Sequence, residues 1–174
     1  DYPKCKYDII IDPKMSFGSG HHETTSMMLE ALLEADLNGK NVIDMGAGTG
    51  ILSIMASKLG AQKVIGVEID SGAWQNAVDN ASLNNALVTM ILGDANSLPS
   101  DADCDYFLAN INRNIIINDI EKYSKTLRKG AKLFISGFYE ADLPMLCDKL
   151  AEYNLQLEKH RVRNEWTMAV FCLK

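Results

Sequence analysis

The clearest candidate for ligand binding is a glycine-rich segment that follows the first apolar strand pattern of the chain. It reads Asp44-Met-Gly46-Ala-Gly48-Thr-Gly50, and a helical pattern begins directly behind it. Glycines at alternate positions let the backbone turn tightly and approach a ligand that a Cβ atom would block. The free N–H groups at the start of the following helix can bind a carboxylate or a phosphate. The segment therefore predicts a ligand site formed by backbone atoms. The alternative is a tight turn that binds no ligand.

The spacing of the glycines indicates which ligand the loop would hold. A dinucleotide fingerprint has a glycine or alanine at its sixth position, where this chain has Ile51. The third glycine stands one position earlier, at Gly50. With Asp44 at its start, the segment resembles the first motif of class I S-adenosylmethionine (SAM) methyltransferases. In those enzymes the loop holds the methionine end of SAM.

Three polar side chains stand directly after the next three strand patterns, where a doubly wound sheet binds its ligands. Glu68 ends the second pattern, and a carboxylate there can accept hydrogen bonds from both hydroxyls of a ribose. Asp94 follows the third and can accept from an adenine amino group. Asn110 follows the fourth, where an amide oxygen can hold a nucleophilic nitrogen and direct its lone pair at a methyl group. We predict Glu68 and Asp94 as cofactor ligands and Asn110 as a catalytic, cofactor-contacting residue; solvated or turn-forming polar residues are the alternative.

The elements that must position these residues alternate regularly along the chain. Short β-branched runs alternate with helical patterns, which is typical of parallel strands covered on both faces. The patterns predict strands at residues 41–45, 63–69, 87–92, 104–109 and 131–136, and helices at residues 50–59, 73–83, 114–128 and 140–151. Lys129-Gly130 is predicted to stop the third of these helices. Thr24 or Thr25 is predicted to cap a further helix that precedes the sheet.

The C-terminal part of the chain changes to a pattern of alternating residues. Residues 155–162 and 166–173 flank the turn sequence Asn164-Glu165, which predicts an antiparallel hairpin at the edge of the sheet. Lys159, Arg161 and Arg163 share one side of its first strand, and a solvated hairpin face explains them. The elements together predict a single α/β domain over residues 1–174. Its core would be a doubly wound, mostly parallel, seven-stranded Rossmann-like sheet with a C-terminal antiparallel hairpin.

Composition limits the classes of partner that the chain is expected to bind. The 174 residues carry a formal net charge of −6, which counts against a nucleic-acid binder held by phosphate contacts. No apolar run approaches the roughly 18 residues of a membrane helix, so we expect a soluble, cytoplasmic protein. The four cysteines form no CxxC pair and are expected to be free thiols. His21 and His22 have no third ligand at a suitable spacing, so we expect no metal site.

A segment that precedes the sheet makes the resemblance more specific. Phe17-Gly-Ser-Gly-His-His-Glu-Thr-Thr25 is similar to the F-G-T-G-x-H-x-T-T loop of the ribosomal protein L11 methyltransferase (PrmA) family. Shorter matches keep the family order from about residue 10 to residue 174, at residues 42–52, 58–61, 109–111, 133–137 and 165–166. The resemblance implies SAM-dependent methylation of lysine ε-amino groups in a ribosomal large-subunit protein. It also implies cofactor contacts at Thr25, Gly46, Glu68 and Asn110.

The chain departs from the family pattern in three respects. Glu68 stands where the family usually has aspartate, and this longer carboxylate should still reach the ribose. His21 and Glu23 replace the usual threonine and proline of the loop. Family members also carry a separate N-terminal substrate-recognition domain, whereas about ten residues precede the loop region here. We therefore expect either a catalytic fragment or a short relative with another protein substrate.

Two other classes of function stay open at this point. One is a SAM-dependent methyltransferase that acts on RNA or a small molecule. Amino-methyltransferases of nucleic-acid bases usually carry Asn/Asp-Pro-Pro-aromatic after the fourth strand, whereas this chain has Asn110-Ile-Asn-Arg113, which disfavours base methylation. The other class is a Rossmann protein that binds NAD, either an oxidoreductase or a module without catalysis.

Overall fold

The computed structural model describes residues 5–14 and 22–174. Helices and strands alternate over most of this length, as the sequence patterns predict. The helices are α1 (Glu23–Leu33), α2 (Ile51–Lys58), α3 (Ser71–Leu83), α4 (Arg113–Thr126) and α5 (Leu143–Ala151). The strands are β1 (Asn41–Met45), β2 (Lys63–Glu68), β3 (Thr89–Leu92), β4 (Cys104–Asn110), β5 (Leu127–Tyr139), β6 (Leu155–Arg163) and β7 (Trp166–Leu173).

The seven strands form one sheet in the order β3-β2-β1-β4-β5-β7-β6. Strands β1 to β5 are parallel, and β7 is antiparallel to both of its neighbours, β5 and β6. The predicted doubly wound sheet with a C-terminal antiparallel hairpin is therefore confirmed. Strand order reverses between β1 and β4, and ligands of such sheets bind beyond the carboxyl ends of the strands at this position. The glycine-rich segment follows β1, and Asn110 ends β4.

Neighbouring residues of the central strands point to opposite faces of the sheet, and both faces are covered. Val42 and Leu108 face the apolar layer that α1 and α2 complete, with Met28 and Leu52 among its members. Phe107 and its counterparts on β1 and β5 face the layer completed by α4 and α5. Burial on both faces explains why these strands read as continuous apolar runs in the sequence.

The structure corrects the junction that the sequence predicts between the fourth helix and the fifth strand. Helix α4 ends at Thr126 and β5 begins at Leu127, so Lys129-Gly130 lies within a strand and does not stop the helix. The register of β5 against β4 shifts between Cys104 and Tyr106, and Gly130, with φ of +80°, accommodates the irregular start of the strand. The Lys129-Gly130 pair, which the sequence pattern predicts to be a helix stop, therefore marks a distorted segment of a strand.

The N-cap of α1 is His22, so the prediction of Thr24 or Thr25 as the cap is wrong. The imidazole Nδ1 of His22 accepts a hydrogen bond from the Thr24 N–H at 3.3 Å. Both threonines lie in the first turn of the helix and are buried. Their side chains point into the protein, and the capping position is occupied by His22, which precedes the helix.

The basic residues of β6 pair with glutamates of α1. Lys159 and Arg161 bind Glu34 at 3.1 Å and 2.5 Å, and Arg163 binds Glu30 at 3.0 Å. The hydrogen bonds from Arg161 and Lys159 lower the pKa of Glu34 to about 2. The strand face is solvated, as predicted, but its charges are engaged within the protein. Exposed pairs of this kind contribute little to stability, so their main effect is to neutralise the basic strip.

Three further expectations concern cysteines, metals and membranes. Cys104 and Cys172 are buried, Cys147 is partly buried and Cys5 is exposed, and all four are free thiols. In residues 5–14 and 22–174, no group of three or more His, Cys, Asp or Glu side chains is arranged to hold a metal ion. Within the same residues, no helix is long and apolar enough to cross a membrane.

Candidate cofactor and catalytic site

The loop between β1 and α2 turns on three glycines in the left-handed region. The φ angles are +72° at Gly46, +55° at Gly48 and +80° at Gly50. A Cβ atom at Gly46 would collide with the side chain of Ile111, which follows β4. Gly50 is the N-cap of α2 and has no side chain that could cap the helix. The predicted glycine loop therefore forms a close backbone cradle at the point where strand order reverses.

Glu68 lies at the end of β2 and holds this loop in place. Its Oε2 accepts a hydrogen bond from the Gly48 N–H at 2.9 Å, and its Oε1 accepts from the Asp70 N–H at 3.0 Å. The side chain is 8 % exposed. Each carboxylate oxygen has a second lone pair, so the group can still accept from a ligand hydroxyl. Its role as a ribose ligand stays a prediction, and the contact with the loop is a role that sequence reasoning missed.

Asp44 is buried beneath the same loop and joins β1 to α2. Its Oδ2 accepts hydrogen bonds from the Ser53 N–H at 3.0 Å and from the Ser53 hydroxyl at 2.6 Å. Burial raises the pKa of Asp44 to about 6 despite these two bonds, and the charge of Glu68 adds a smaller increase. The acidic residue at the start of the motif therefore connects the end of a strand to the first turn of the next helix.

Two predicted site residues from distant parts of the chain are in contact. The Nδ2 of Asn110, at the end of β4, donates a hydrogen bond to the Thr25 Oγ1 of α1 at 3.2 Å. Thr25 is 2 % exposed, so its hydroxyl is held in one place. Since the amide NH₂ of Asn110 is engaged in this way, its carbonyl oxygen is directed to other donors. The contact joins the first turn of α1 to the end of β4.

Asp94 caps a short 3₁₀ turn after β3. Its Oδ1 accepts from the Asn96 N–H at 2.9 Å, and its Oδ2 accepts from the Asn96 side chain at 3.0 Å. Turn formation, the alternative weighed for this residue, is therefore what the structure shows. The preceding Gly93 N–H bonds the Glu68 carbonyl at 2.8 Å, so Asp94 lies beside the end of β2. The proposed contact with an adenine ring stays a prediction.

An aromatic group borders the same edge of the sheet. Trp166, at the start of β7, packs against Tyr139 at 4.7 Å between ring centroids and against His22 at 5.2 Å. The sequence pointed to Trp166 only through its match to the family pattern. The rest of the predicted loop, Phe17 to His21, lies outside the described residues, and so does one histidine of the rejected metal pair.

This sheet order and loop geometry define a Rossmann-like methyltransferase fold. A crystal structure of ribosomal protein L11 methylase from Lactobacillus delbrueckii subsp. bulgaricus superposes with a TM-score of 0.82 at 27% identity, covering 89% of this chain and 81% of that one. The structure of M. jannaschii TYW2 in complex with AdoMet has a TM-score of 0.70 at 18% identity, covering 91% of this chain and 77% of that one. The second likeness shows the fold alone.

The family model described as ribosomal protein L11 methyltransferase (PrmA) matches residues 1–174, and the chain belongs to this family. Curated relatives named ribosomal protein L11 methyltransferase include those of Phocaeicola vulgatus and Porphyromonas gingivalis, at 45% and 44% identity. The matches cover 100% and 97% of this chain, and 62% and 59% of the relatives. The chain thus spans about three fifths of the length of these relatives.

Proposed function

We propose that this chain is the catalytic domain of a SAM-dependent protein methyltransferase that modifies lysine ε-amino groups of a ribosomal protein, with L11 as the first candidate. The observation that carries the proposal is the Asn110–Thr25 contact beside the glycine loop. The contact holds the Asn110 amide at the carboxyl edge of the sheet, where we expect a methyl acceptor to meet the cofactor, in a chain that belongs to the L11 methyltransferase family.

The residues present suit SAM as the cofactor. Gly46, Gly48 and Gly50 carry no side chain that would block the loop, so its backbone can lie close to the methionine end of the cofactor. Glu68 is a carboxylate with acceptor capacity for a ribose diol, and Asp94 lies next to it for the base. When bound, SAM supplies a methyl group activated by a sulfonium.

Asn110 would act on the substrate amine. Its carbonyl oxygen can accept an N–H hydrogen bond and so hold the amine lone pair in line with the transferred methyl, which is catalysis by orientation. A lysine has a reference pKa near 10.4, so presenting it uncharged at pH 7 costs roughly 5 kcal/mol. Desolvation and a neighbouring positive charge both lower the pKa of an amine, so no dedicated base is required. Asp44 is unsuited to that task because it is buried and bonded to Ser53.

A protein substrate is favoured over RNA by the distribution of charge. The net charge is −6, and the basic strip on β6 is paired with Glu30 and Glu34. Neither feature supplies the free cations that phosphate contacts require. The glycine spacing, with Ile51 at the sixth position, argues against a dinucleotide. A cytoplasmic location, where ribosomal proteins are made, belongs to the same proposal.

Residues 1–174 are proposed to act as a single catalytic domain. The family resemblance implies that target recognition resides in a separate N-terminal domain, and the relatives are longer than this chain. Recognition of the ribosomal protein by such a domain is therefore part of the proposal for the whole enzyme.

The decisive experiment incubates the chain with purified ribosomal protein L11, ribosomal RNA and SAM that carries a radioactive methyl group, and then separates protein from RNA. We expect label in the protein fraction, an increase in intact mass by whole methyl groups, and loss of both with Asn110→Ala. Label confined to ribosomal RNA would contradict the proposed substrate. Thermal unfolding with SAM, its demethylated product or NAD tests the cofactor, because a ligand at 100 times its Kd stabilises a protein by about 2.7 kcal/mol. Stabilisation by NAD alone would contradict the methyltransferase assignment.

A further inference from the structure

Three asparagines on α3 bind the backbone of an extended segment near the start of the described chain. Asn76, Asn80 and Asn84 stand four residues apart on one face of the helix and are at most 9 % exposed. We name the extended segment, residues 8–14, the strap. A buried amide lowers the stability of the folded state unless it is hydrogen-bonded. Three buried amides in one row therefore require a hydrogen-bonding partner. The strap backbone is that partner.

The hydrogen bonds fall on alternate residues of the strap. Asn84 accepts from the Ile10 N–H at 2.9 Å and donates to the Ile10 carbonyl at 2.7 Å. Asn80 accepts from the Asp12 N–H at 2.9 Å, and Asn76 donates to the Asp12 carbonyl at 2.8 Å. Side-chain amides of a helix thus supply the bonds that a neighbouring strand would supply in a sheet.

The strap has anchors besides these amides. Ile9 and Ile11 pack against the apolar layer that α1 and α2 complete. Lys14 forms an exposed ion pair with Asp79 of α3 at 2.7 Å. The strap therefore follows α3 from Asn84 back towards the N-terminal part of that helix.

Asn80 binds the glycine loop as well as the strap. Its Nδ2 donates to the carbonyl oxygen of Thr49 at 3.0 Å, while its Oδ1 accepts from Asp12. Thr49 lies between Gly48 and Gly50, where the backbone is left-handed. The loop is thus held on one side by Glu68, through the Gly48 N–H, and on the other by Asn80.

We propose that Asn80 is a positioning residue that couples the strap to the glycine loop, so that a docked strap increases the affinity for SAM. The inference rests on the proposed function for its ligand. The Asp12 N–H fixes which way the buried Asn80 amide faces, and that orientation places Nδ2 on the Thr49 carbonyl. Without the Asp12 donor, the amide oxygen is buried without that partner, and the amide is free to turn away from the loop. Because coupling is reciprocal, bound SAM in turn strengthens docking of the strap.

The test changes the strap and Asn80 in separate variants. Asp12→Pro removes the N–H that donates to Asn80, at a residue that belongs to the strap and not to the loop. Asn80→Ala removes both bonds. We expect each variant to raise the Kd for SAM about tenfold in calorimetry, and we expect the double variant to bind no more weakly than Asn80→Ala. Lys14→Ala, which removes only the exposed ion pair of the strap, is the matched control and should bind SAM like the unmodified chain.

A second readout does not depend on the ligand. In the ligand-free protein, hydrogen exchange of residues 46–50 should be faster in Asp12→Pro than in the unmodified chain and in Lys14→Ala, with global stability compared by urea unfolding. An unchanged Kd and unchanged exchange in folded Asp12→Pro would overturn the coupling, as would additive effects in the double variant. If the unmodified chain binds no SAM, the proposed function fails, and the exchange measurement alone still decides whether strap and loop are coupled.

Discussion

Asp44→Asn is expected to stabilise the protein at neutral pH. The pKa of Asp44 is raised from 3.8 to about 6 because the carboxyl is buried. A difference of one pKa unit corresponds to about 1.36 kcal/mol, so the charged form costs the native state about 3 kcal/mol at pH 7. An asparagine resembles the protonated carboxyl and can still accept from the Ser53 N–H, so the variant should recover most of that free energy.

The sign of the pH dependence follows from the raised pKa. The native state holds the proton of Asp44 more tightly than the unfolded state does. This group therefore contributes most to stability below pH 3.8, and the contribution is lost as the pH rises through about 6. In Asp44→Asn that dependence is absent, so the difference in stability between variant and unmodified chain should grow with pH and level off above 6.

Urea unfolding, measured between the two pKa values and at neutral pH, tests the argument. Asp148→Asn, which removes an exposed carboxylate of α5, is the control and should reproduce the pH profile of the unmodified chain. A profile for Asp44→Asn that runs parallel to that of the unmodified chain would refute the assigned pKa. A variant that is less stable at neutral pH would show that Ser53 requires a charged acceptor.

Substitutions at three positions and one fusion test the site. Glu68→Ala should weaken SAM binding by on the order of 2 kcal/mol, and Glu68→Asp by less; unchanged calorimetric affinity in folded Glu68→Ala would exclude the ribose role. Gly48→Val should abolish SAM binding in a chain that circular dichroism shows to be folded, and retained binding would count against the loop as the cofactor site. Asn110→Ala should lower kcat more than SAM affinity, whereas the reverse would make Asn110 a binding residue. Fusing a relative's N-terminal domain should raise kcat/KM for L11 at constant SAM affinity; equal efficiencies would point to a different substrate.

The positions of Glu68 and Asn110 near the glycine loop could be predicted because each residue ends a strand pattern. The carboxyl ends of parallel strands meet at one edge, so Glu68 and Asn110 had to lie near the glycine loop once the strands were recognised. The end of α4 was misplaced because Lys129-Gly130 carries a local helix-stop signal, while the strand that contains it depends on pairing with β4. A local sequence pattern carries no information about which strands pair with each other.

Contacts between distant residues were beyond sequence reasoning for a related physical reason. The strap bonds of Asn84 join residues 74 apart, and the bond of Arg163 to Glu30 joins residues 133 apart. The spacing of Asn76, Asn80 and Asn84 was a visible signal, since asparagines at four-residue intervals share one helix face. Without the fold, nothing indicated that this face was buried or what it would bind.

The costly features of the chain are concentrated around one loop, and this concentration is itself an argument for function. Left-handed backbone at Gly46, a buried acid at Asp44 and a buried amide at Asn80 each work against folding unless something specific compensates. The compensating bonds, to Ser53 and to Thr49, fix the loop before any ligand arrives. Glu68 likewise already accepts from Gly48 and keeps acceptor capacity towards a ligand. A cofactor would therefore add hydrogen bonds to a loop that is already held in place, which lowers the entropic cost of binding. This gain in binding explains why the fold keeps, around this loop, features that lower its stability.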